Sequence, residues 1–545
     1  MSEAAPAQLA LIVPGALNDA IEAAAADAVS ERVVERIWAG DDTVFGPAGQ
    51  PEVADRLGWL HVGERTGALL PQLEALAAGA RDRGDSVVLV LGMGGSSLAP
   101  EVLRRAFDRV DAAPELRVLD STVPSAVLEA IAGLDPERTL VVAASKSGGT
   151  VETRSQLELL WEQFGHRADG FAVITDPGSA LEELARDRGF RDVVLGDPEV
   201  GGRYSALTAF GLTPASVAGF DAAGLLASGV ASADASHDAT ASGNDALALG
   251  LLWAESAKAG RDKLTILADH SLGGVELWLE QLVAESTGKH GKGLLPVAGE
   301  PAGSGARFSD DRVVLRIRDV HKPSHALDEL ASQLGAAGAP IATIDVDGPV
   351  GLGSVFFLSE FATAVCGWRL GINPFDQPNV QEAKTATGEV LKANAGGAIS
   401  LPGVSTKDAI TELLDGLEAP GYVAVLGYLA PSPSVDQAAI RLQGAIRDAS
   451  GAATTFGYGP RYLHSTGQLH KGGPTGGRFL LVVDDSAPDV EIPGADYSFR
   501  TLAHAQALGD LNTLRSHGRT AVLVTSTGTP AETLHELADR ASRNH

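Results

Sequence analysis

Short runs of aliphatic and β-branched residues alternate with helix-period stretches along most of the chain, the pattern of buried parallel strands joined by covering helices. SVVLVL (86–91) leads into a Gly-rich turn and a helix near 97–108, and LRVLD (116–120) is a further short strand. TLVVAA (139–144) leads through SKSGG into a helix from about 150 to 164. FAVIT (171–175) is followed by PGSALEELARDRG, a Pro-opened helix stopped by Gly189. The pattern restarts with KLTILA (263–268), RVVLRIR (312–318) and PIATIDVDG (340–348), and again with strands near 422–427, 479–483 and 520–525. Residues 1 to about 85 read as Ala-rich helix without a strong strand signal.

Two passages interrupt this rhythm. Residues 221–245 are small and polar and are read as a boundary or crossover; residues 395–420 are loop-rich. The expected division is a helical segment over 1–85, α/β domains over 86–235 and 236–400, a linker over 401–420 and a smaller α/β domain over 421–545. The last strand-to-helix turn, TSTGTPAET (525–533), echoes ASKSGGTVET (144–153) and is read as ordinary punctuation.

A length of 545 residues fits this multi-domain reading. With 42 Lys+Arg against 70 Asp+Glu the net charge is −28, so a nucleic-acid footprint is not expected. An acidic surface also repels a phosphorylated ligand at long range, so any phosphate site must be built locally from backbone N–H groups, hydroxyls and a few cations. Cys366 is the only cysteine, which excludes an intrachain disulfide and suits a reducing compartment. Neither a signal-peptide pattern nor an apolar run of ~18 residues is seen, so a cytoplasmic chain without membrane contact is expected.

GMGGSSLAP (92–100) lies between a buried-type strand and a helix, where Gly94, Gly95 and Ser96 would let the backbone approach an anion. A dinucleotide fingerprint would need Gly at position 97, and this chain has Ser97, although Asp120 ends the next strand where a ribose-binding acid could lie. A ligand-free tight turn explains this motif equally well. SKSGGTVET (145–153) says more: Ser145, Ser147 and Thr150 with Lys146 crowd one turn, and three hydroxyls suit a phosphate monoester better than helix capping, which needs one. It lacks the spacing of a nucleotide P-loop. In the helix beginning near 273, Val275, Trp278, Leu279, Leu282 and Val283 form a buried stripe, with Gln281 and Glu285 one turn apart beside it. Partial desolvation there suits a general base, against the plain alternative of an exposed Glu285–Lys289 ion pair.

The two turns resemble those of the sugar isomerase fold, a flavodoxin-like α/β domain. Four further segments resemble the phosphoglucose isomerase family in particular: GGRYSALTAFGL (201–212), QLVAESTGK (281–289), NPFDQPNVQEAK (373–384) and LHSTGQLHKGG (463–473). The resemblance covers roughly 85–400, extends to 475, and looks like a divergent bacterial branch. Pro378 and Asn379 replace the family's aromatic–glycine pair, and GEPAGSGARF (299–308) lacks the histidine that follows GEP in relatives.

The resemblance implies two flavodoxin-like three-layer αβα domains with parallel sheets plus a third, smaller C-terminal α/β domain. It implies an aldose–ketose isomerase acting on glucose 6-phosphate and fructose 6-phosphate, an intramolecular oxidoreductase with no metal or redox cofactor. Glu285 would be the base, Arg203 the oxyanion partner, and Lys384 with His470 (His464 second) would open the ring. Ser96, Ser145, Ser147, Thr150 and Gln377 would hold the phosphate, with Gly94, Gly95, Lys146 and Gln281 also against the substrate. Relatives often form homodimers sharing a histidine across the interface; a histidine in the added domain would instead make the site self-contained. A non-catalytic phosphosugar-binding protein, and an isomerase that also accepts mannose 6-phosphate, stay open at this point.

Overall fold

The computed structural model describes residues 6–301, 308–394, 397–526 and 528–543. It opens on a strand, β1 (Gln8–Ile12), that the Ala-rich composition of this region does not announce. The first sheet comprises β2 (Val87–Leu91), β3 (Glu115–Leu119), β4 (Thr139–Ala144), β5 (Phe171–Thr175) and β6 (Asp192–Leu195). Its order is β3-β2-β4-β5-β6, all parallel, which is the flavodoxin-like winding. The second contains β7 (Lys263–Ala268), β8 (Leu295–Val297), β9 (Arg312–Asp319) and β10 (Ile341–Val346), in the order β8-β7-β9-β10. β1 adds to the β10 edge as its one antiparallel strand, with Ala10 opposite Thr343.

The third sheet, β12-β11-β13-β14, repeats this winding with four parallel strands: β11 (Tyr422–Tyr428), β12 (Ala453–Tyr458), β13 (Gly477–Val483) and β14 (Thr520–Thr525). β2, β4 and β5 are buried at every position, the reason they read as unbroken apolar runs.

The first part of the small, polar stretch read as a boundary or crossover is a helix, Ala222–Ala235, packed on the core helix Leu352–Leu370, and residues 236–244 are turns and bends. Small residues are what allow the contact. A Cβ on Gly353 would lie 1.9 Å from the Leu225 carbonyl oxygen, and Ser228 and Ser354 hydroxyls meet at 2.9 Å. The expected linker holds another helix, Thr406–Leu414, N-capped by Ser405 and buried through Ala409, Ile410 and Leu413. Pro349–Leu370 is long and apolar enough to cross a membrane, with mean hydropathy 1.5, yet 89% of that window is buried inside the protein, as in a core helix. Residues 302–307, within GEPAGSGARF, and Thr527, within the last turn motif, lie outside the described residues.

Candidate active site

In a doubly wound sheet the crevice opens where the strand order reverses, here between β2 and β4. The Gly-rich turn follows β2 and the hydroxyl-rich turn follows β4, so both face one cleft of about 410 Å³. Gly94, Gly95, Ser96, Ser145, Lys146, Ser147, Thr150, Arg203, Gln281, Glu285, Gln377, Lys384 and His464 all line it.

The glycines are there for close approach. A Cβ on Gly95 would sit 1.9 Å from the Gly202 carbonyl oxygen, and one on Gly94 would meet Gln281 Nε2 at 2.7 Å. Gly148 adopts φ +69°, a conformation that favours glycine. Thr150 occupies the N-cap of the helix Val151–Gln163 but makes no capping bond; its hydroxyl lies 3.0 Å from that of Ser145. Capping therefore does not account for the Thr150 hydroxyl, while those of Ser145 and Ser147 accept from the Gly148 and Gly149 N–H groups at 3.2 and 3.3 Å. Lys146 is paired with Asp176 at 2.6 Å and donates to the Asp197 and Pro198 carbonyls, so its charge is largely neutralised within the protein. Lys384, exposed at the mouth, has no hydrogen bond or ion pair among the described residues.

Glu285 projects from the last turn of the helix Glu276–Thr287 and is only 5% exposed. The helix buries the apolar stripe expected of it. Gly288 ends it in a backbone shape open to any residue; its missing side chain instead admits Leu469, whose Cα would lie 2.4 Å from a Cβ. Oε1 of Glu285 is 3.4 Å from Arg203 Nη1, and Oε2 accepts from Gln281 Nε2 at 3.0 Å. Arg203 is itself fixed on all sides. It donates to Ser286 Oγ (2.7 Å), Gln377 Oε1 (3.0 Å) and the carbonyls of Pro374 (2.7 Å) and Asp376 (3.0 Å).

The alternative, a Glu285–Lys289 surface pair, does not form. Lys289 is 1% exposed, pairs with Asp376 at 2.8 Å and donates to the Asn373 carbonyl at 2.5 Å. Burial, then the Arg203 charge, push its amine down to about 7. Lys289 thus anchors the loop that grips Arg203, a role its position in a surface-like motif concealed.

The histidine assignment needs correction. His470 lies outside the cleft, 1% exposed beneath Tyr422 and Phe479, with Nδ1 3.3 Å from the Tyr422 hydroxyl. Burial holds its imidazole well below the usual range. It points into the C-terminal unit from the short helix Gly467–Gly472, whereas His464 ends the preceding 3₁₀ turn, Arg461–His464, on the cleft side. His464 Nε2 lies 2.8 Å from Oε1 of Glu152, which also accepts from Gln506 Nε2 at 2.7 Å. Burial alone would raise the Glu152 carboxyl, but the charge and hydrogen bond of His464 hold it below the usual carboxylate range. Gln281 Nε2 completes the link by donating to the His464 carbonyl at 2.8 Å.

The C-terminal unit is therefore built into the cleft. Asp120, weighed as a ribose ligand, is held by Arg461 through bonds of 2.6 and 2.8 Å, which removes the nucleotide-binding acid. Asn379, a departure from the family pattern, exchanges two bonds with the Gln468 amide at 2.9 and 2.7 Å. Sequence reasoning missed Glu152 as a histidine partner, and Arg56, Asp176 and Phe375 as cleft residues. A carboxylate at the first turn of a helix reads as a dipole partner, so nothing local singled Glu152 out. Among the described residues no group of three His, Cys, Asp or Glu side chains could hold a metal ion.

This winding, with a hydroxyl-lined cradle at its reversal point, defines an α/β protein of the sugar isomerase fold. The family model for phosphoglucose isomerase matches residues 76–293. The chain is 30% identical over 362 residues to a glucose-6-phosphate isomerase of Rubrobacter xylanophilus, covering 56% of this chain and 83% of that protein. It is 31% identical over 355 residues to one from Heliobacterium modesticaldum, covering 55% and 78%. In fold it is similar to a crystal structure of a glucose-6-phosphate isomerase from Chlamydia trachomatis, with TM-score 0.54, 19% identity, and 70% and 86% of the two chains covered. The chain belongs to the phosphoglucose isomerase family.

Proposed function

We propose that the chain interconverts glucose 6-phosphate and fructose 6-phosphate, a step of glycolysis and gluconeogenesis, in the cytoplasm. The relatives' names supply glucose 6-phosphate and isomerisation, and fructose 6-phosphate is the ketose that a hydrogen shift from C2 to C1 of that sugar gives. The observation that carries the chemistry is the juxtaposition of a nearly buried Glu285, 3.4 Å from Arg203, with the hydroxyl turn 145–150 in one cleft.

The phosphate is held by Ser96, Ser145, Ser147, Thr150 and the Gln377 amide, and Lys384 offers the unpaired cation. Gly94, Gly95, Lys146 and Gln281 contact the rest of the sugar. His464, oriented by Glu152, moves a proton between the ring oxygen and O1 together with Lys384, and the pyranose opens. Glu285 takes the C2 proton; the electron pair left behind forms the C1–C2 double bond of an enediolate, whose oxyanion Arg203 stabilises. Glu285 returns the proton to C1 while the O2 proton passes to the O1 oxyanion, which leaves a C1 hydroxyl and a C2 carbonyl. Because Arg203 is held by four protein acceptors, it is preorganised and need not rearrange as charge develops.

The test is a coupled assay of fructose 6-phosphate conversion with chelator present, together with solvent deuterium exchange into the sugar. Turnover with deuterium at C1 and C2 supports the reading. Phosphosugar binding without exchange would leave the chain a non-catalytic sugar-phosphate binder.

A further inference from the structure

Behind the helix Glu276–Thr287 lies a second cavity of about 300 Å³, sharing no lining residue with the cleft. We propose that it is a second small-molecule site, for an organic ammonium ion carrying an apolar body.

Two carboxyl groups, Glu276 and Glu280, enter it one helical turn apart. Oε2 of Glu276 is buried without a hydrogen-bond partner. Glu280 is 9% exposed and makes no hydrogen bond or ion pair among the described residues. The neighbouring cations are engaged by other acids. Arg461 is held by Asp120 at 2.6 Å and Arg105 by Glu101 at 2.6 Å. The other acid on the wall, Asp436, already accepts from the Tyr458 hydroxyl at 2.5 Å. His470 contributes a buried Nε2 with no partner and, as a neutral ring, no competing charge. Burial, then the charge of Glu276, push Glu280 up to about 8, the behaviour of a carboxylate missing its counter-ion.

A cation entering here would supply that counter-ion, and the excess of 70 acidic over 42 basic residues favours its approach. Phe456, Tyr458 and Ile440 also line the cavity and suit an aromatic or aliphatic body. An anion would oppose both carboxyl groups, and a neutral ligand would bring them no counter-charge. Lacking any residue of the cleft, the site can bind whether or not the isomerase reading holds.

The experiment is calorimetric titration of the full chain with 2-phenylethylammonium, 2-phenylethanol and 3-phenylpropanoate, three ligands of one shape and different charge. The ammonium ion should bind about tenfold or more tightly than the alcohol, with the carboxylate weakest. In a Glu276→Gln, Glu280→Gln double variant that preference should fall below about twofold. Ile440→Lys, at a 43% exposed position that tolerates the change, places an ammonium at the mouth and should abolish binding even if the double variant fails to fold. Equal or tighter binding of the alcohol or the carboxylate, no saturable heat from the ammonium ion to about 10 mM, or unchanged binding in the Ile440→Lys chain would each overturn the proposal.

Discussion

The imidazole of His464 lies 2.8 Å from the carboxylate of Glu152, across 312 residues of sequence. The first side chain comes from the C-terminal unit and the second from the helix that follows β4, so the pair exists only when the two units are docked. Arg461 on Asp120 and Gln468 on Asn379 fasten the same joint. A cleft lined by Glu285, Arg203 and the 145–150 turn from one part of the chain thus takes His464 from another.

If His464 and Glu152 act as one device, their substitutions should not add. His464→Gln and Glu152→Gln are each expected to lower kcat by about 10²-fold, and the double variant by little more. Steady-state kinetics on the three chains checks this. Independent, multiplying losses would separate the two residues. His470→Gln, by contrast, should change stability more than rate.

Glu285→Gln keeps the shape of the side chain and the bond from Gln281 while removing the base. Turnover should fall by at least about 10³-fold with phosphosugar binding within about threefold of the parent, read by the coupled assay and by calorimetry. Near-normal turnover would overturn the assignment of the base.

Lys289→Met should loosen the 373–377 loop whose carbonyls grip Arg203. A fall in kcat of roughly tenfold, larger than any rise in KM, is expected because the oxyanion partner loses its placement. Breaking a buried pair also costs roughly 3–5 kcal/mol, visible as a lower midpoint in denaturant. Unchanged kcat with the same loss of stability would make Lys289 purely structural.

Glu280 predicts a pH dependence of folding. Its carboxyl is held at about 8 in the folded chain against an ordinary 4.5, so the folded state binds the proton more tightly. Stability from this group is full below the ordinary value and is lost as pH rises towards the folded one. Glu280→Gln should therefore match the parent near pH 4 and exceed it by roughly 2–5 kcal/mol at about pH 9 without added ligand. Urea unfolding at the two ends of that range measures the difference.

Much of the α/β frame was legible because buried parallel strands leave unbroken apolar runs; TLVVAA and KLTILA match β4 and β7 residue for residue. β1 was not, since only Leu9 and Leu11 of its five residues turn to the core, too short an alternation to stand out beside an Ala-rich helix. The helix Ala222–Ala235 was hidden by its composition: Gly and Ser read as loop until the close contact with Gly353 is seen. Of the cleft-lining residues, the 145–150 turn stood out by its own hydroxyls, while Glu285 and Arg203 stood out only through the family resemblance. The choice between His464 and His470 was not legible. They share one short motif, and only the direction in which a 3₁₀ turn and the next helix face separates the cleft from the core.

The docked C-terminal unit has a consequence for the working enzyme. On this assignment each polypeptide carries its own ring-opening histidine, so no second molecule has to lend one. Specific activity should then hold constant as the protein is diluted, where an enzyme that borrows the residue from its neighbour fades as subunits part.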